Sequence, residues 1–547
     1  MTTRTADPVP AAPHTADLPD AEWLLRLANE MFRRLPGDAP ATVVAAPAAP
    51  AAAGAHATPA AAATYGAPAL PGRGTAVPDR PAGWGNPARL GPLPPPLPPL
   101  GLPDFAPAPG GPVAEIASPE FYFLRAGTPS APIPGPFADP HPPFDVHAIR
   151  RDFPVLAEKI HGRPLVWFDN GATTQKPQAV IDRLAHFYAH ENSNIHRGAH
   201  TLAARATDAY EAARERVAKF IGAGSPDEIV FVRGATEGIN LVAKTWGAQH
   251  LGPGDEIVVS HLEHHANIVP WQQIAQATGA RLRVAPVDDR GEFLLEEYAR
   301  LLTPRTRLVA VTHVSNALGT VTPVKQIVEL AHRAGARVLV DGAQSVSHMP
   351  VDVQTIDSDF FVFSGHKVFG PTGIGAVHAK REVSADMPPW QGGGNMISDV
   401  TFERTIYQPP PARFEAGTGN IADAVGLGAA LEYLQRIGMA NIAAYEQDLL
   451  AYATACLERV PGLRIIGRAP EKAAVLSFVL DGHAPEDVGT ALDRAGIAVR
   501  AGHHCAQPIL RRYGLESTVR ASFAFYNTRE EIQALQRSLL EIAATRS

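Results

Sequence analysis

The chain is 547 residues long with a formal net charge of -7, so it offers no basic field for nucleic acid or an anionic membrane. No apolar run approaches the roughly 20 residues needed to cross a bilayer, and the opening MTTRTADPVP lacks the apolar centre of a secretory signal. Only two cysteines occur, Cys456 and Cys505, so no disulfide framework is built and a soluble cytoplasmic protein is expected.

Residues 1–143 hold more than half of the 52 prolines, set among alanine and glycine. Stretches such as 41–64 and 90–103 suit neither sheet ladders nor a packed core, which predicts a disordered Pro/Ala/Gly-rich arm with polyproline-like segments. Two islands interrupt it. Asp20–Leu35 puts Trp23, Leu27 and Met31 on one apolar stripe, with Asp20 as N-cap and Gly37 just past the end. A lone helix of that length is marginal in water, so the stripe calls for a partner. Ser118–Arg125, SPEFYFLR, is an aromatic cluster of the docking-motif kind.

From Phe144 the composition becomes globular. Strand-like runs (Val166–Asp169, Glu228–Val232, Glu256–Ser260, Leu308–Thr312, Val338–Val340, Phe360–Phe363) alternate with helical segments (Lys176–Glu191, Ala204–Ile221, Thr236–His250, Pro323–Ala334). This βα repeat predicts an α/β protein with a mostly parallel sheet and helices on both faces. Two long helices, Ala422–Gly438 and Ala440–Val460, and an α+β remainder follow. The expected division is a large domain over 144–421, whose N-terminal segment contributes to the small domain, and a small domain over 422–547.

The chemistry gathers on Val338–Gly375. Two buried strand-like runs end in polar residues, where α/β sheets open their ligand crevices. The first ends in Asp341, with Gln344 three residues on; the second ends in Ser364-Gly365-His366-Lys367 before a glycine-rich turn. A lysine and an aspartate at nearby strand ends suit pyridoxal phosphate, the lysine carrying the aldehyde and the aspartate keeping the pyridine nitrogen protonated. Gly234-Ala235-Thr236 precedes a helix, and its first N–H groups form a phosphate cradle. Cys505, in the Gly- and Pro-punctuated RAGHHCAQP (500–508), has two histidines and Arg500 beside it, a setting for a reactive thiolate. Cys456, on an amphipathic helix, reads as a small core residue. His261, His264 and His265, or His503, His504 and Cys505, lack the acidic or cysteine companions of a zinc site, so no metal is expected.

A series of motifs in one order carries a resemblance: FDNGATTQKP (168–177), NIHRGAHTLA (194–203), RGATEGIN (233–240), EHHANIVPW (263–271), THVSNALGT (312–320), VDGAQ (340–344), SGHKVFGPTGIG (364–375), FEAGTGN (414–420) and RAGHHCAQP. From about Phe144 onward the chain resembles the class V, fold-type I pyridoxal-phosphate enzymes, and among them the SUF-type cysteine desulfurases. The resemblance implies pyridoxal 5'-phosphate on Lys367, with Asp341 at its ring nitrogen and His264 stacked on the ring and helping in proton transfer as a catalytic residue. It assigns Ala235, Thr236, Ser364, His366, Gln344 and Asn316 to cofactor binding. Thr418 would reach in from a neighbouring subunit, which implies a homodimer. Asn316, Arg520 in STVRASFAFYN, Arg500 and His196 are the candidates for binding substrate, a guanidinium being a bidentate match to a carboxylate; Arg500 as a surface ion pair is the bland alternative.

The implied reaction turns L-cysteine into L-alanine and leaves a persulfide on Cys505 for an acceptor protein. Rivals are another class V enzyme, such as a selenocysteine lyase or an aminotransferase, and a non-catalytic assembly scaffold. Two positions depart from the pattern: Gly171 stands where alanine is usual, and Gly419 where proline is usual. Glycine loosens both turns. The arm over 1–143 resembles the cargo domain of cysteine desulfurases packaged in family 2 encapsulin shells, which implies a shell-protein partner and a place inside a nanocompartment.

Overall fold

The computed structural model describes residues 144–196 and 198–545. The arm expected over 1–143, with its islands at Asp20–Leu35 and Ser118–Arg125, lies outside them. Among the described residues no helix is long and apolar enough to cross a membrane.

In chain order the main strands are β1 (Val166–Trp167), β2 (Ile229–Val232), β3 (Glu256–Ser260), β4 (Arg281–Ala285), β5 (Thr306–Thr312), β6 (Arg337–Asp341), β7 (Phe360–Ser364) and β8 (Gly375–Ala379). β2 to β8 make one seven-stranded sheet in the order β2-β8-β7-β6-β5-β3-β4. Every pair is parallel except those of β8, which runs antiparallel to both β7 and β2. Every residue of β2, β3, β7 and β8 is buried, as strands covered on both faces must be, and this explains their continuous apolar runs.

The run at Val166 does not join this sheet. β1 pairs in parallel with Ile497–Ala498 (β9), over 300 residues away. It thereby ties the start of the described chain to a second, four-stranded antiparallel sheet of Leu463–Ile466, Val475–Leu480, Thr518–Ser522 and Arg500–Gly502.

Two helices follow one another after Asn420: α1 (Ile421–Ile437) and α2 (Met439–Leu457). α1 is apolar on most of its circumference, the mark of a helix buried between others. Its Ala424, Leu427 and Leu431 share a core with Phe187, Tyr210 and Val217 from helices Gln178–His190 and Thr201–Ile221. α2 instead supplies Leu449, Ala453, Cys456 and Leu457 to a separate core with Val166, Phe168 and Phe478. Packing therefore groups α1 with the large sheet, and groups Val166 and Phe168 with α2.

Candidate active site

Four strands of the large sheet end along one edge, and their polar tails meet there. β5 ends in Thr312, β6 in Asp341 and β7 in Ser364, while β3 leads into His264. They open on a cavity of about 280 Å³. Lys367, Cys505, His264, Asp341, Gln344, Ala235, Thr236, Ser364, His366, Asn316, Arg520 and Arg500 all line it.

Lys367 sits on a single 3-10 turn, Gly365–Lys367, directly after β7. Burial pushes its ammonium down to about 8, against the opposing pull of the Asp341 carboxylate. Asp341 is itself buried, and burial raises its carboxyl despite the Ala343 N–H donated at 2.9 Å and the nearby Lys367. His264 is pushed down to about 3 by burial and then by Lys367. It is a neutral ring, and because its Nδ1 accepts from Ala266 N–H at 3.0 Å, its proton sits on Nε2. His366 is likewise pushed down, to about 4, by burial and Lys367.

The helix start that lines the cavity is built locally. The helix Ala235–Val242 begins at Gly234, whose φ of 155° favours glycine and where a Cβ would stand 3.0 Å from Ser364 Oγ. That hydroxyl accepts the Ala235 N–H at 2.9 Å, while the next N–H groups of the first turn have no intrahelical acceptor.

The opposite wall carries Arg500 and Arg520 from the four-stranded sheet and Cys505 just past it. Arg520 is buried, donating from Nη1 to Asn316 O at 2.9 Å and from Nη2 to Asp169 at 3.2 Å, while its Nε finds no partner among the described residues. Arg500 grips the same Asp169 with Nε at 3.1 Å and Nη2 at 2.8 Å. Asn316 gives its Nδ2 to His504 O at 2.6 Å, leaving a buried Oδ1 without a partner.

Cys505 is exposed. It and His504 both have φ of 54°, a left-handed conformation that costs about 1 kcal/mol or more for non-glycine residues. Neighbours hold it there: Cys505 N–H donates to His503 Nδ1 at 3.0 Å, and Cys505 O accepts from His265 N–H at 2.8 Å. His504 is fixed through Nε2 to Thr518 Oγ1 at 2.8 Å. Cys456 is buried in the small core.

Two of the expected site residues lie outside this cavity. His196 pairs with Glu211 at 2.8 Å. Thr418 is exposed beyond Glu415, which Arg214 clamps at 2.7 Å. Sequence reasoning missed three others: Asp169, which joins the two arginines; His265, whose backbone holds the Cys505 turn; and Glu263, a buried acid pushed up to about 8 by burial and bonded by Ser260, Asn267 and Thr312. Asp169 lay inside a quoted motif. Its acidity beside Asn170 was the available signal.

A family comparison matches residues 166–535 to "Aminotransferase class-V". The chain belongs to that family. Its relatives include a "Cysteine desulfurase" of Synechococcus elongatus, 69% identical over 399 residues, which are 73% of this chain and 64% of the relative. Another, of Pectobacterium atrosepticum, is 51% identical over 73% of this chain and 98% of its own length. The chain thus spans less than two thirds of the first relative. Among solved structures, an Escherichia coli cysteine desulfurase recorded with an S-sulfonic acid is 41% identical, with a TM-score of 0.68 over 73% of this chain and 99% of that one. This class-V, fold-type I chain takes pyridoxal 5'-phosphate as its cofactor. The residues fit it: an amine of lowered pKa, a buried carboxylate across the same cavity, a helix start beside Ser364, and an Asn316 Oδ1 wanting a donor.

Proposed function

We propose that the chain is an L-cysteine desulfurase that yields L-alanine and leaves the sulfur as a persulfide on Cys505. The observation that supports this reading is a single cavity lined by both Lys367 and an exposed, strained Cys505. Transamination needs no such thiol.

The cofactor supplies a sink for the electron pair left when the substrate Cα–H bond breaks. Arg520 takes the substrate carboxylate, having an unused Nε donor. Asn316 has its Oδ1 free and a second Nδ2 hydrogen beyond the bond to His504 O, so it would stand beside Arg520 as a further polar contact for the cofactor or the substrate. Lys367, neutral above a pKa of about 8, accepts the Cα proton and returns one. The Cys505 thiolate attacks the substrate sulfur; the S–S bond forms as the C–S bond breaks, and the departing pair is protonated at Cβ to give alanine. The sum is cysteine plus Cys505 thiol giving alanine plus persulfide, with no outside oxidant. Incubation of the purified protein with cofactor, L-cysteine and a thiol reductant should yield alanine and sulfide in equal amounts. Formation of a keto acid, or of sulfide without alanine, would refute the reading.

The reading extends to partners. The enzyme is a homodimer in which His196 and Thr418 serve a neighbouring subunit, a view supported by both lying away from this chain's own cavity. An acceptor protein takes the sulfur from the exposed Cys505. The arm over 1–143 docks the enzyme inside an encapsulin shell, with Trp23, Leu27 and Met31 as the anchor and the Pro/Ala stretches as tether. Co-expression of the intact and the truncated chain with a shell protein tests this last part: only the intact chain should load, and equal loading would rule it out.

A further inference from the structure

Four hydrogen-bond donors converge on one backbone oxygen, the carbonyl of His366, immediately before Lys367. Thr174 N–H reaches it at 3.0 Å, the hydroxyls of Thr173 and Thr174 at 3.1 Å each, and Lys176 Nζ at 3.2 Å. A carbonyl has two lone pairs and commonly accepts one or two bonds. The crowding here is a property of the segment that follows Asp169, and nothing in the chemistry of the Lys367 amine requires it.

The same segment grips the next turn as well. Thr174 Oγ1 accepts the N–H of Phe369 at 2.8 Å, so residues 366–369 are held on both sides of Lys367. Its other end is anchored: Asp169 binds Arg500 and Arg520, and Gly171 O accepts from Gln344 Nε2 at 2.7 Å. Lys176 also donates to Thr174 O at 2.5 Å, which folds its side chain over the turn. Burial lowers its pKa to about 8, so the contacts are made at the expense of an ammonium's hydration.

We propose that Lys176 is a positioning residue for Lys367, acting with Thr173 and Thr174 through the His366 carbonyl to fix the direction in which the Lys367 amine enters the cavity. The alternative is a role limited to capping the start of the helix Gln178–His190. The two differ in what they predict. A positioning clamp acts on the reactivity of the Lys367 amine, whereas a cap acts on stability alone. A misplacement of about 1 Å at a reacting group can cost on the order of a hundredfold in rate.

The inference rests on the reading of Lys367 as the cofactor-bearing lysine, and the test keeps the two apart. Protein stripped of cofactor is mixed with pyridoxal phosphate, and the absorbance band of the Lys367-bound cofactor is followed in wild type, Lys176→Met and Thr173→Val. Thr173→Val removes one donor with little change in shape. Cofactor uptake should slow about tenfold in Lys176→Met and less in Thr173→Val. In steady state kcat should fall in the same order with the KM for cysteine unchanged. Wild-type uptake and kcat in both variants would overturn the proposal, even with a lowered melting temperature, and so would a raised KM at unchanged kcat. If Lys176→Met does not fold, Thr173→Val alone decides: slower uptake supports the clamp and wild-type uptake refutes it. A wild-type protein that never develops the band would fail the reading of Lys367 itself, a result distinct from either.

Discussion

The two walls of the cavity are built differently. The Lys367 wall is the carboxyl edge of a sheet whose strands are buried on both faces, and its groups sit at a strand end or within three residues of one. The Cys505 wall is a pair of left-handed residues on a loop, held by a few bonds to His503, His265 and Thr518. Rigid placement suits an amine and a carboxylate that must keep one geometry. On the proposed reading the thiol collects sulfur inside the cavity and then presents it outside, and a loop retained by separable hydrogen bonds allows both. Substitutions in the two walls should therefore fail in different ways.

The largest effect belongs to the rigid wall. Lys367→Ala should abolish alanine formation and the cofactor's protein-bound absorbance band, with the fold retained. Near-normal alanine release would end the assignment of the lysine. Cys505→Ser, in the other wall, should keep that band and still respond spectrally to cysteine, yet lose nearly all sulfur release, because a hydroxyl at neutral pH is a poor nucleophile. Cys456→Ser is the control, since Cys456 packs in the small core away from the cavity. Sulfur release lost in Cys456→Ser and kept in Cys505→Ser would reverse the assignment of the thiol.

Between the walls stands Asp169, the shared counter-ion of Arg500 and Arg520. Removing one partner of a buried ion pair costs about 3 kcal/mol or more. Asp169→Ala should lower the melting temperature clearly, and a small carboxylate added at high concentration should recover part of the loss by taking the vacated place beside the arginines. A melting temperature that ignores both changes would mean that the arginines do not need this charge.

The lysine wall also carries a pH signature. With a pKa lowered from 10.5 to about 8, the Lys367 amine is mostly protonated below pH 8 and neutral above it. Cofactor uptake by stripped protein should rise about tenfold per pH unit below 8 and level off above it. A rate still climbing at pH 10 would show an ordinary lysine.

How much of this was legible follows the same contrast. The strands bearing Asp341 and Ser364 could be read because double-sided burial leaves continuous Val and Phe runs. β4 escaped notice because it lies at the sheet's edge with Arg281 and Arg283 interrupting its pattern, and β8 because its GAVHA run is short and follows a glycine turn. Neither the pairing of β1 with β9 nor the bonds of Arg500 and Arg520 to Asp169 could be read at all. They join residues more than 300 positions apart, and no local periodicity records such a partner. His265 holds the Cys505 turn through a backbone bond, which side-chain chemistry cannot announce.

The smallest expected effect concerns Gly171 and its replacement by alanine. Its φ is not left-handed, so alanine is allowed by the backbone. Space is the constraint: a Cβ there would stand 3.1 Å from Arg520 Cζ and 3.3 Å from Ser522 Oγ. The backbone cannot retreat freely, because Gly171 N–H donates to that same Ser522 Oγ at 2.8 Å and Gly171 O accepts from Gln344. The guanidinium must therefore give by a few tenths of an ångström, straining its bonds to Asp169 and Asn316. Gly171→Ala should raise the KM for cysteine by about two- to fivefold, under 1 kcal/mol of binding, with kcat nearly unchanged. Stability should hold, since the lost freedom of the unfolded chain contributes about 0.4–1 kcal/mol in alanine's favour. A fall in kcat at constant KM would place the strain on the lysine wall instead, through Gln344, and would mean that the two walls are mechanically joined at this turn.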